Sequence, residues 1–153
     1  MGNRAVITDD LKIKNYKTEL KNRCDKIGIY LHWNGGRDSI EAFLEYCKAR
    51  RFRGFCDDYG KARLVQVISN FFCGGSSVGV GILRELDCDN YDNGVYIVDD
   101  GFNIVGRKYH TGKEQNVYDL KEMMVEIDKR QPEKDRIGEE GIDQYLKEGN
   151  KNG

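Results

Sequence analysis

Trp33, Asn34, Gly35, Gly36 and Arg37 follow one another where an apolar, strand-like run meets the start of a predicted helix. Glycines in such a turn leave backbone N–H groups pointing outward, and a helix N-terminus adds a positive partial charge. A guanidinium can donate two parallel hydrogen bonds to a phosphate, and an indole offers a flat face to a purine. A plain tight turn, with the Trp in the core and the Arg on the surface, explains the same residues and is the more common case. The stretch matches neither the dinucleotide fingerprint nor the P-loop.

Two further stretches carry groups that could serve a ligand. In YGKARLVQVISNFF, Arg63 is a candidate anion contact, and Phe71 or Phe72 could line a pocket. In DNGVYIVDDGFNIVGR, Asn93 and Arg107 are predicted at strand ends, with Tyr96 between them in the sequence. Arginines suit phosphates, and amides suit ribose hydroxyls. Core packing of the phenylalanines and ordinary surface or turn positions for the polar residues remain the more common alternatives.

Catalytic signatures are weak. The chain has two histidines, His32 and His110, and its five cysteines show no C-x-x-C spacing, which argues against a zinc site or a disulfide framework. The acidic loop with Asp87, Asp89 and Asp92 lacks the spacing of an EF-hand. We therefore expect no catalytic residues, no metal and no cofactor, and a reducing, cytoplasmic setting.

Composition limits the classes of protein that fit. The 153 residues are 39% hydrophobic and 33% charged, which is typical of a single globular domain. A formal net charge of -1 argues against coating of nucleic acid by bulk electrostatics, although a local basic patch remains open. No apolar run reaches membrane-spanning length, so we expect no membrane partner.

Hydrophobic periodicity predicts the elements that would position these residues. Strands are predicted at residues 4–8, 27–33 and 76–82, and residues 9–26 are predicted to form a loop or a loose hairpin. A helix is predicted to begin at Asp38, with Glu41 completing a capping box, and later helices are predicted to be capped by Asp58 and Asn116. Asp100-Gly101 between two apolar runs predicts a hairpin with a primed two-residue turn.

The predicted order is β-β-α-α-β-β-β-α. Because the strands and helices segregate, it favours an α+β fold with a small antiparallel sheet and about three helices. Residues 1–131 are predicted to form one ligand-binding domain, and residues 132–153 a charged, flexible tail with one amphipathic turn at residues 142–146.

Three stretches together resemble a known family: YLHWNGGRDSIEAFLEYC, YGKARLVQVISNFFCGG and DNGVYIVDDGFNIVGR. Over roughly residues 27–130 the chain resembles the first type of phage Thoeris anti-defence proteins. The resemblance implies a sponge in the host cytoplasm that binds a cyclic ADP-ribose isomer, glycocyclic ADP-ribose, without cleaving it. It also implies assembly into dimers or hexamers, and a second, separate site for cyclic di- or trinucleotides.

The resemblance implies roles for the candidate residues. Arg63 and Arg107 would contact the pyrophosphate, Phe71 or Phe72 would stack on adenine, and Asn93 would contact ribose, with Tyr96 nearby. The second cyclic nucleotide site would contain Trp33, Asn34, Gly35, Gly36 and Arg37.

Two other functions stay open. The basic run KARRFR at residues 48–53 could be the contact face of a phage inhibitor that binds a CRISPR or restriction effector, or nucleic acid. An enzyme that hydrolyses a cyclic nucleotide would need His32, His110 or a metal held by the acidic loop.

Overall fold

A computed structural model describes residues 2–9, 26–74 and 77–151. The loop or hairpin predicted at residues 9–26 therefore lies almost wholly outside the described residues. Within the described part, five strands and four α-helices form one compact domain. In chain order they are β1 Ala5–Asp9, β2 Ile27–Leu31, α1 Arg37–Ala49, α2 Asp58–Phe71, β3 Val78–Ile82, β4 Val95–Val98, β5 Ile104–Lys108, α3 Leu120–Lys129 and α4 Glu139–Lys151. Short 3-10 turns lie at Leu83–Glu85 and Glu133–Asp135.

The sheet has the strand order β3-β2-β1-β4-β5. The pairs β1–β2, β2–β3 and β4–β5 are antiparallel, whereas β1 and β4 pair in parallel. The α+β class is confirmed, but the sheet is mixed and not purely antiparallel. Parallel neighbours need a long connection, and here β2, α1, α2 and β3 lie between the two central strands in the sequence.

The core lies between the sheet and the helices. Ile7 on β1 and Tyr96 on β4 are fully buried there, because alternate strand residues point to the same face. The predicted apolar face of the first helix is confirmed, and Cys47 on it is a buried core residue. Its remaining members are Ile40, Phe43 and Leu44.

The helices begin one or more residues away from the predicted caps. The cap of α1 is Gly36, so the capping box predicted from Asp38 is wrong: Asp38 accepts a hydrogen bond from the Ser39 N–H. The caps of α2 and α3 are Asp57 and Asp119, whose carboxylates accept backbone N–H bonds at the helix starts. Asp58 and Asn116, the predicted caps, are therefore wrong. Sequence alone could not choose between Asp57 and Asp58, or between Asn116 and Asp119, because Asp and Asn are all competent caps.

The hairpin between β4 and β5 is confirmed, but its turn differs from the predicted one. Residues 99–103 form the loop, and the left-handed residue is Phe102, with φ 61°, and not Gly101. The Phe102 side chain is buried against Phe55, with ring centroids 5.8 Å apart. Burial of this ring explains why a bulky residue occupies a backbone region that usually favours glycine.

The predicted tail contains a helix that packs on the domain. Ile142 of α4 is fully buried in the core, and the Tyr145 hydroxyl donates a hydrogen bond of 2.5 Å to Glu45 on α1. Asp128 accepts the N–H groups of Ile137 and Gly138 just before α4 begins. Among the described helices, none combines the length and the apolar character that crossing a bilayer requires.

Candidate functional site

The glycine turn that follows Trp33 lies between β2 and α1 and packs against the residues before β1. The Gly35 N–H donates a hydrogen bond of 2.8 Å to the Asn3 carbonyl oxygen. A Cβ atom on Gly35 would lie 2.5 Å from that oxygen and 2.8 Å from the Ala5 Cβ. Gly35 is therefore required for close backbone approach. Asn34, with φ 57°, takes the left-handed conformation that lets the chain turn into the helix.

Two arginines from different elements converge beside this turn. Arg37 is the first residue of α1, and its Nη1 atom lies 2.9 Å from Oε2 of Glu114. Arg107 on β5 donates from Nη1 to the same carboxylate, with 2.5 Å to Oε2 and a second hydrogen bond to Oε1. One carboxylate thus bridges two guanidinium groups. We call Arg37, Tyr96, Arg107 and the bridging Glu114 the arginine cradle.

Tyr96 and Asn93 fix the position of the β5 arginine. The Arg107 guanidinium lies over the Tyr96 ring, with its Cζ 3.8 Å from the ring centroid, and its Nη2 donates a bond of 2.6 Å to the Asn93 carbonyl. The Asn93 side chain in turn donates to the Arg4 carbonyl at 3.0 Å. Stacking and hydrogen bonding together hold a long side chain in one orientation, which reduces the entropy that ligand binding would otherwise cost.

The cradle is electrostatically coupled. Burial raises the pKa of the Glu114 carboxyl, but hydrogen bonds from Arg107 and Arg37 outweigh burial, so this pKa lies below its ordinary value. Burial lowers the pKa of Arg37, but the hydrogen bond to Glu114 leaves it raised overall. Arg37 and Glu114 are therefore both charged at neutral pH.

The residues after β5 form a strap over the start of α1. We define the strap as residues 110–118, which adopt no helix or strand. Besides Glu114, its Gln115 Oε1 accepts the Asp38 N–H at 3.2 Å. Its Tyr118 hydroxyl donates to Glu41, and burial and this bond raise the pKa of Tyr118 to about 12. The predicted outward-facing N–H groups of the helix start are thus partly occupied by the chain itself.

His110 lies at the beginning of the strap, and its Nε2 is 3.5 Å from Glu114 Oε1. Both of its ring nitrogens are buried and lack a hydrogen-bond partner among the described residues, as does Nε of Arg107. Buried polar atoms without partners are uncommon. They mark this end of the cradle as a place where a ligand could supply hydrogen bonds.

A cleft of about 150 Å³ extends from Arg37 along α1 toward the β4–β5 turn. Its remaining lining residues are Glu41, Leu44, Glu45, Lys48, Phe102, Asn103 and Ile104. Pockets that enclose small ligands usually measure about 300–1,000 Å³. In this arrangement, the cleft is therefore too small to enclose a nucleotide.

A second cavity, of about 310 Å³, is lined by residues of β1, β4 and β5 and by the segment after β3, including Val95, Ile97, Leu83 and Leu86. None of the predicted site residues is among those that line it. Val95 and Ile97 alternate with Tyr96, which faces the helices, so this cavity lies on the other face of the sheet.

The structure regroups the predicted site residues. Asn93, Tyr96 and Arg107, predicted for one site, meet Gly35 and Arg37, predicted for the other. The Tyr96 hydroxyl joins the two groups by a hydrogen bond of 2.7 Å to the Gly35 carbonyl. Gly36 belongs to the same place, since it caps α1.

The other predicted residues of the first site lie on or next to α2 and make no described hydrogen bond or ring contact with the cradle. Arg63 is exposed, and its Nη1 is 3.4 Å from Gln66 Oε1. Phe71 is 7% exposed and packs edge-on against Phe43 and Phe72. Phe71 is thus a core residue, and the packing alternative considered for it is the one observed.

Trp33 stays accessible at the end of β2. Its side chain is 45% exposed and contacts the His32 ring edge-on, with centroids 5.1 Å apart. The alternative that places Trp33 in the core is therefore excluded. His32 is in turn linked to Tyr30, whose hydroxyl lies 3.0 Å from Nδ1.

Sequence reasoning missed the strap. Glu114 is the one carboxylate between Asp100 and Asp119, and two predicted phosphate-binding arginines need a counter-charge when no ligand neutralises them. Because no other carboxylate lies near it in the sequence, Glu114 could have been identified as that counter-charge. Gln115 and Tyr118 gave no comparable signal, since polar residues after a strand are ordinary.

Comparisons with known proteins assign no function to the cradle. No protein-family model matches the chain, and neither the curated proteins nor the solved structures gave a match. The cradle and the sequence resemblance therefore carry the functional proposal.

Proposed function

We propose that this protein binds and sequesters a cyclic nucleotide signal that contains a pyrophosphate, of the glycocyclic ADP-ribose class, without cleaving it. The observation that carries the proposal is the convergence of Arg37 and Arg107 on one carboxylate beside the start of α1. Guanidinium groups bind carboxylates and phosphates through the same planar fork of N–H donors. A pyrophosphate has oxygens on two adjacent phosphorus atoms, so it can engage both arginines at once.

The two aromatic residues near the arginines have different proposed roles. Tyr96 supports Arg107 through its ring face, which that guanidinium covers, so Tyr96 is not the base platform. Trp33 is the better platform, because its indole is accessible and lies four residues before Arg37. Stacking on an accessible aromatic ring contributes about 1–3 kcal/mol per base.

Binding without cleavage fits the chemistry of the cradle. A hydrolase needs a group near the attacked phosphate that takes up a proton at neutral pH. Arginine stays protonated, and burial raises the pKa of Tyr96 above its ordinary value. Burial raises the pKa of Glu114, but the two arginines leave it below its ordinary value, so this carboxylate is a weak base. His110 lies beside it and is the residue to test for hydrolysis.

The alternative of a macromolecular inhibitor is less well supported. Three of the cations at residues 48–53 are matched by carboxylates: Lys48 by Glu45 at 2.7 Å, Arg53 by Asp57 at 2.8 Å, and Arg50 by Asp135 at 3.8 Å. A patch neutralised in this way attracts polyanions weakly. The acidic-loop alternative is also disfavoured, because Asp87 and Asp92 both pair with Arg4.

Assembly is part of the proposal. A cleft of about 150 Å³ encloses too little of a nucleotide, so we propose that a second copy completes the wall, as dimer or hexamer formation would allow. The setting proposed is the host cytoplasm. Cyclic di- and trinucleotides are proposed as further ligands at the same place, because the residues predicted for their site, 33–37, border the cradle.

The first experiment is a thermal-shift screen of the purified protein against cyclic ADP-ribose isomers, cyclic di- and trinucleotides, ADP-ribose and NAD. A hit is then incubated with wild type and with His110→Ala, the protein is heat-denatured, and the nucleotide is analysed by mass spectrometry. Stabilisation by a cyclic ADP-ribose isomer, recovered intact from both proteins, is the expected result. Time-dependent loss of the ligand with wild type alone would identify an enzyme. The absence of any shift would reject nucleotide binding and favour the macromolecular inhibitor.

A further inference from the structure

The Glu114 carboxylate occupies the position in which the proposed ligand would place a phosphate. It accepts hydrogen bonds from Arg37 at 2.9 Å and from Arg107 at 2.5 Å, and its side chain is 34% exposed. Two guanidinium groups facing one another repel unless an anion lies between them. Glu114 supplies that anion from within the chain.

Among the described residues, the strap that carries Glu114 makes its hydrogen bonds through its side chains. Gln115 contacts the Asp38 N–H, and Tyr118 contacts Glu41. The strap has no strand or helix pairing, and Gly112 within it has φ 112°, with no atom within 4 Å of the position that a methyl side chain would take. A segment with few backbone bonds and an open glycine can leave the helix at low cost.

The position of the strap also accounts for the small size of the cleft. With Glu114 on Arg37 and Tyr118 on Glu41, the strap contacts two residues that line the cleft of about 150 Å³. Movement of the strap would free both arginines and widen the same opening. An anion that binds only one arginine leaves Glu114 paired with the other arginine. An anion that binds both arginines replaces both ion pairs of Glu114, so the strap is no longer held there.

We propose that Glu114 is an internal competitor for the ligand phosphates, so that the cradle selects anions with two linked phosphates over anions with one. The inference rests on the arginine cradle of the proposed function, but it does not depend on which nucleotide carries the pyrophosphate. Glu114 is thus a specificity-determining residue, and opening of the strap precedes or accompanies binding.

The test uses Glu114→Gln, which keeps the shape of the side chain and removes its charge. Affinities for inorganic pyrophosphate and inorganic phosphate are measured by isothermal titration calorimetry, and association rates for cyclic ADP-ribose by stopped flow. The control is Glu126→Gln on α3, whose carboxylate is 3.7 Å from Lys129 on the surface. The variant is expected to bind pyrophosphate about tenfold more tightly, because one charged competitor is lost. It should also associate faster with the nucleotide, and prefer pyrophosphate over phosphate less than wild type does.

A purely structural role for Glu114 gives a different pattern. The variant would then melt at a lower temperature while its affinity for pyrophosphate stayed equal to that of wild type or became weaker, and this would overturn the inference. Failure of both proteins to bind pyrophosphate would overturn it as well. If pyrophosphate behaves as expected but wild type binds no cyclic ADP-ribose isomer, the inference stands and the nucleotide assigned under the proposed function is wrong.

Discussion

The Tyr96 hydroxyl donates a hydrogen bond of 2.7 Å to the carbonyl oxygen of Gly35. This bond joins the middle of β4 to the turn before α1, 61 residues earlier in the chain. It therefore sets the distance between the element that supports Arg107 and the element that begins with Arg37. Together with the Glu114 bridge between Arg37 and Arg107, this contact between a side chain and the backbone fixes the geometry of the cradle.

Tyr96→Phe removes that contact and leaves the buried Gly35 carbonyl without its partner. Loss of a hydrogen bond to a buried carbonyl costs about 1–3 kcal/mol, so we expect a decrease of that size in the free energy of unfolding. Urea denaturation followed by circular dichroism measures it. Tyr59→Phe is the matched control, because Tyr59 is 59% exposed. Equal stability of the two variants would contradict a structural role for the Tyr96 hydroxyl.

Gly35→Ala tests the close approach on the other side of the same bond. The added methyl would lie 2.5 Å from the Asn3 carbonyl oxygen, which is backbone and cannot rotate away. Overpacking of this kind costs about 1–3 kcal/mol, and we expect a matching fall in the midpoint of thermal unfolding.

Gly79→Ala is the control for that substitution. Gly79 on β3 has nothing within 4 Å of the added methyl, so its replacement is expected to be neutral or stabilising by about 0.4–1 kcal/mol through the unfolded chain. If Gly35→Ala were as stable as Gly79→Ala, the turn before α1 would be able to move away from the Asn3 carbonyl, and the close approach would not be required.

Arg107→Lys separates charge from geometry in the cradle. Lysine keeps the positive charge but cannot contact Glu114, the Asn93 carbonyl and the Tyr96 ring face in the same way. We expect the affinity for a pyrophosphate ligand to fall about tenfold or more, because the planar fork of donors is lost. Titration calorimetry with the best ligand from the screen measures the effect.

Arg63→Lys is the informative control, because the resemblance assigns Arg63 to the pyrophosphate as well. In this chain Arg63 is exposed on α2 and contacts Gln66, so its replacement is expected to leave affinity unchanged in the monomer. A loss of affinity equal to that of Arg107→Lys would place Arg63 in the site, through assembly of a second copy.

Local patterns predicted most of the fold. Apolar runs bounded by turn residues indicated β2 and β4, and the helical spacing from Ile40 to Cys47 gave the buried face of α1. The parallel pairing of β1 with β4 was beyond such patterns, because it depends on contacts between residues about 90 positions apart. The amphipathic turn predicted at residues 142–146 lies within α4, but the length of that helix and its packing on the core were not predicted, because a few apolar residues in a charged segment carry little periodic signal.

The two arginines of the site were predictable from local signals, but their convergence was not. Arginine beside glycine at a helix start, and arginine at a strand end, are local signals, and both residues lie in the cradle. That they belong to one cradle depends on Glu114 and Tyr96. The phenylalanines illustrate the limit of reasoning from residue type, since Phe71 packs in the core as an apolar residue on the inner face of a helix should.

Lys61→Met tests the ion pair at the end of β1. Asp9 is 5% exposed, and its carboxylate oxygens both lie 2.8 Å from Lys61 Nζ. Removing one partner of a buried pair leaves an uncompensated charge and costs about 3–5 kcal/mol. We expect a loss at the lower end of that range at pH 7, measured by urea denaturation. Lys129→Met, at a position whose side chain is 67% exposed, is expected to change stability by less than about 0.5 kcal/mol.

The pH dependence of that variant follows from the sign of the Asp9 shift. Burial raises the pKa of Asp9, while the hydrogen bond from Lys61 acts in the opposite direction. Lys61→Met removes the largest lowering influence, while burial still raises the Asp9 pKa and Lys26 lowers it less, so the folded state holds the Asp9 proton more tightly than the unfolded chain does. The stability linked to that proton is fully present below the unfolded pKa of about 3.9 and is lost as pH rises through the folded value. The difference in unfolding free energy between wild type and Lys61→Met should therefore shrink from pH 7 to pH 4. A difference that stays constant over this range would show that the lost stability comes from packing of the Lys61 side chain and not from the charge of Asp9.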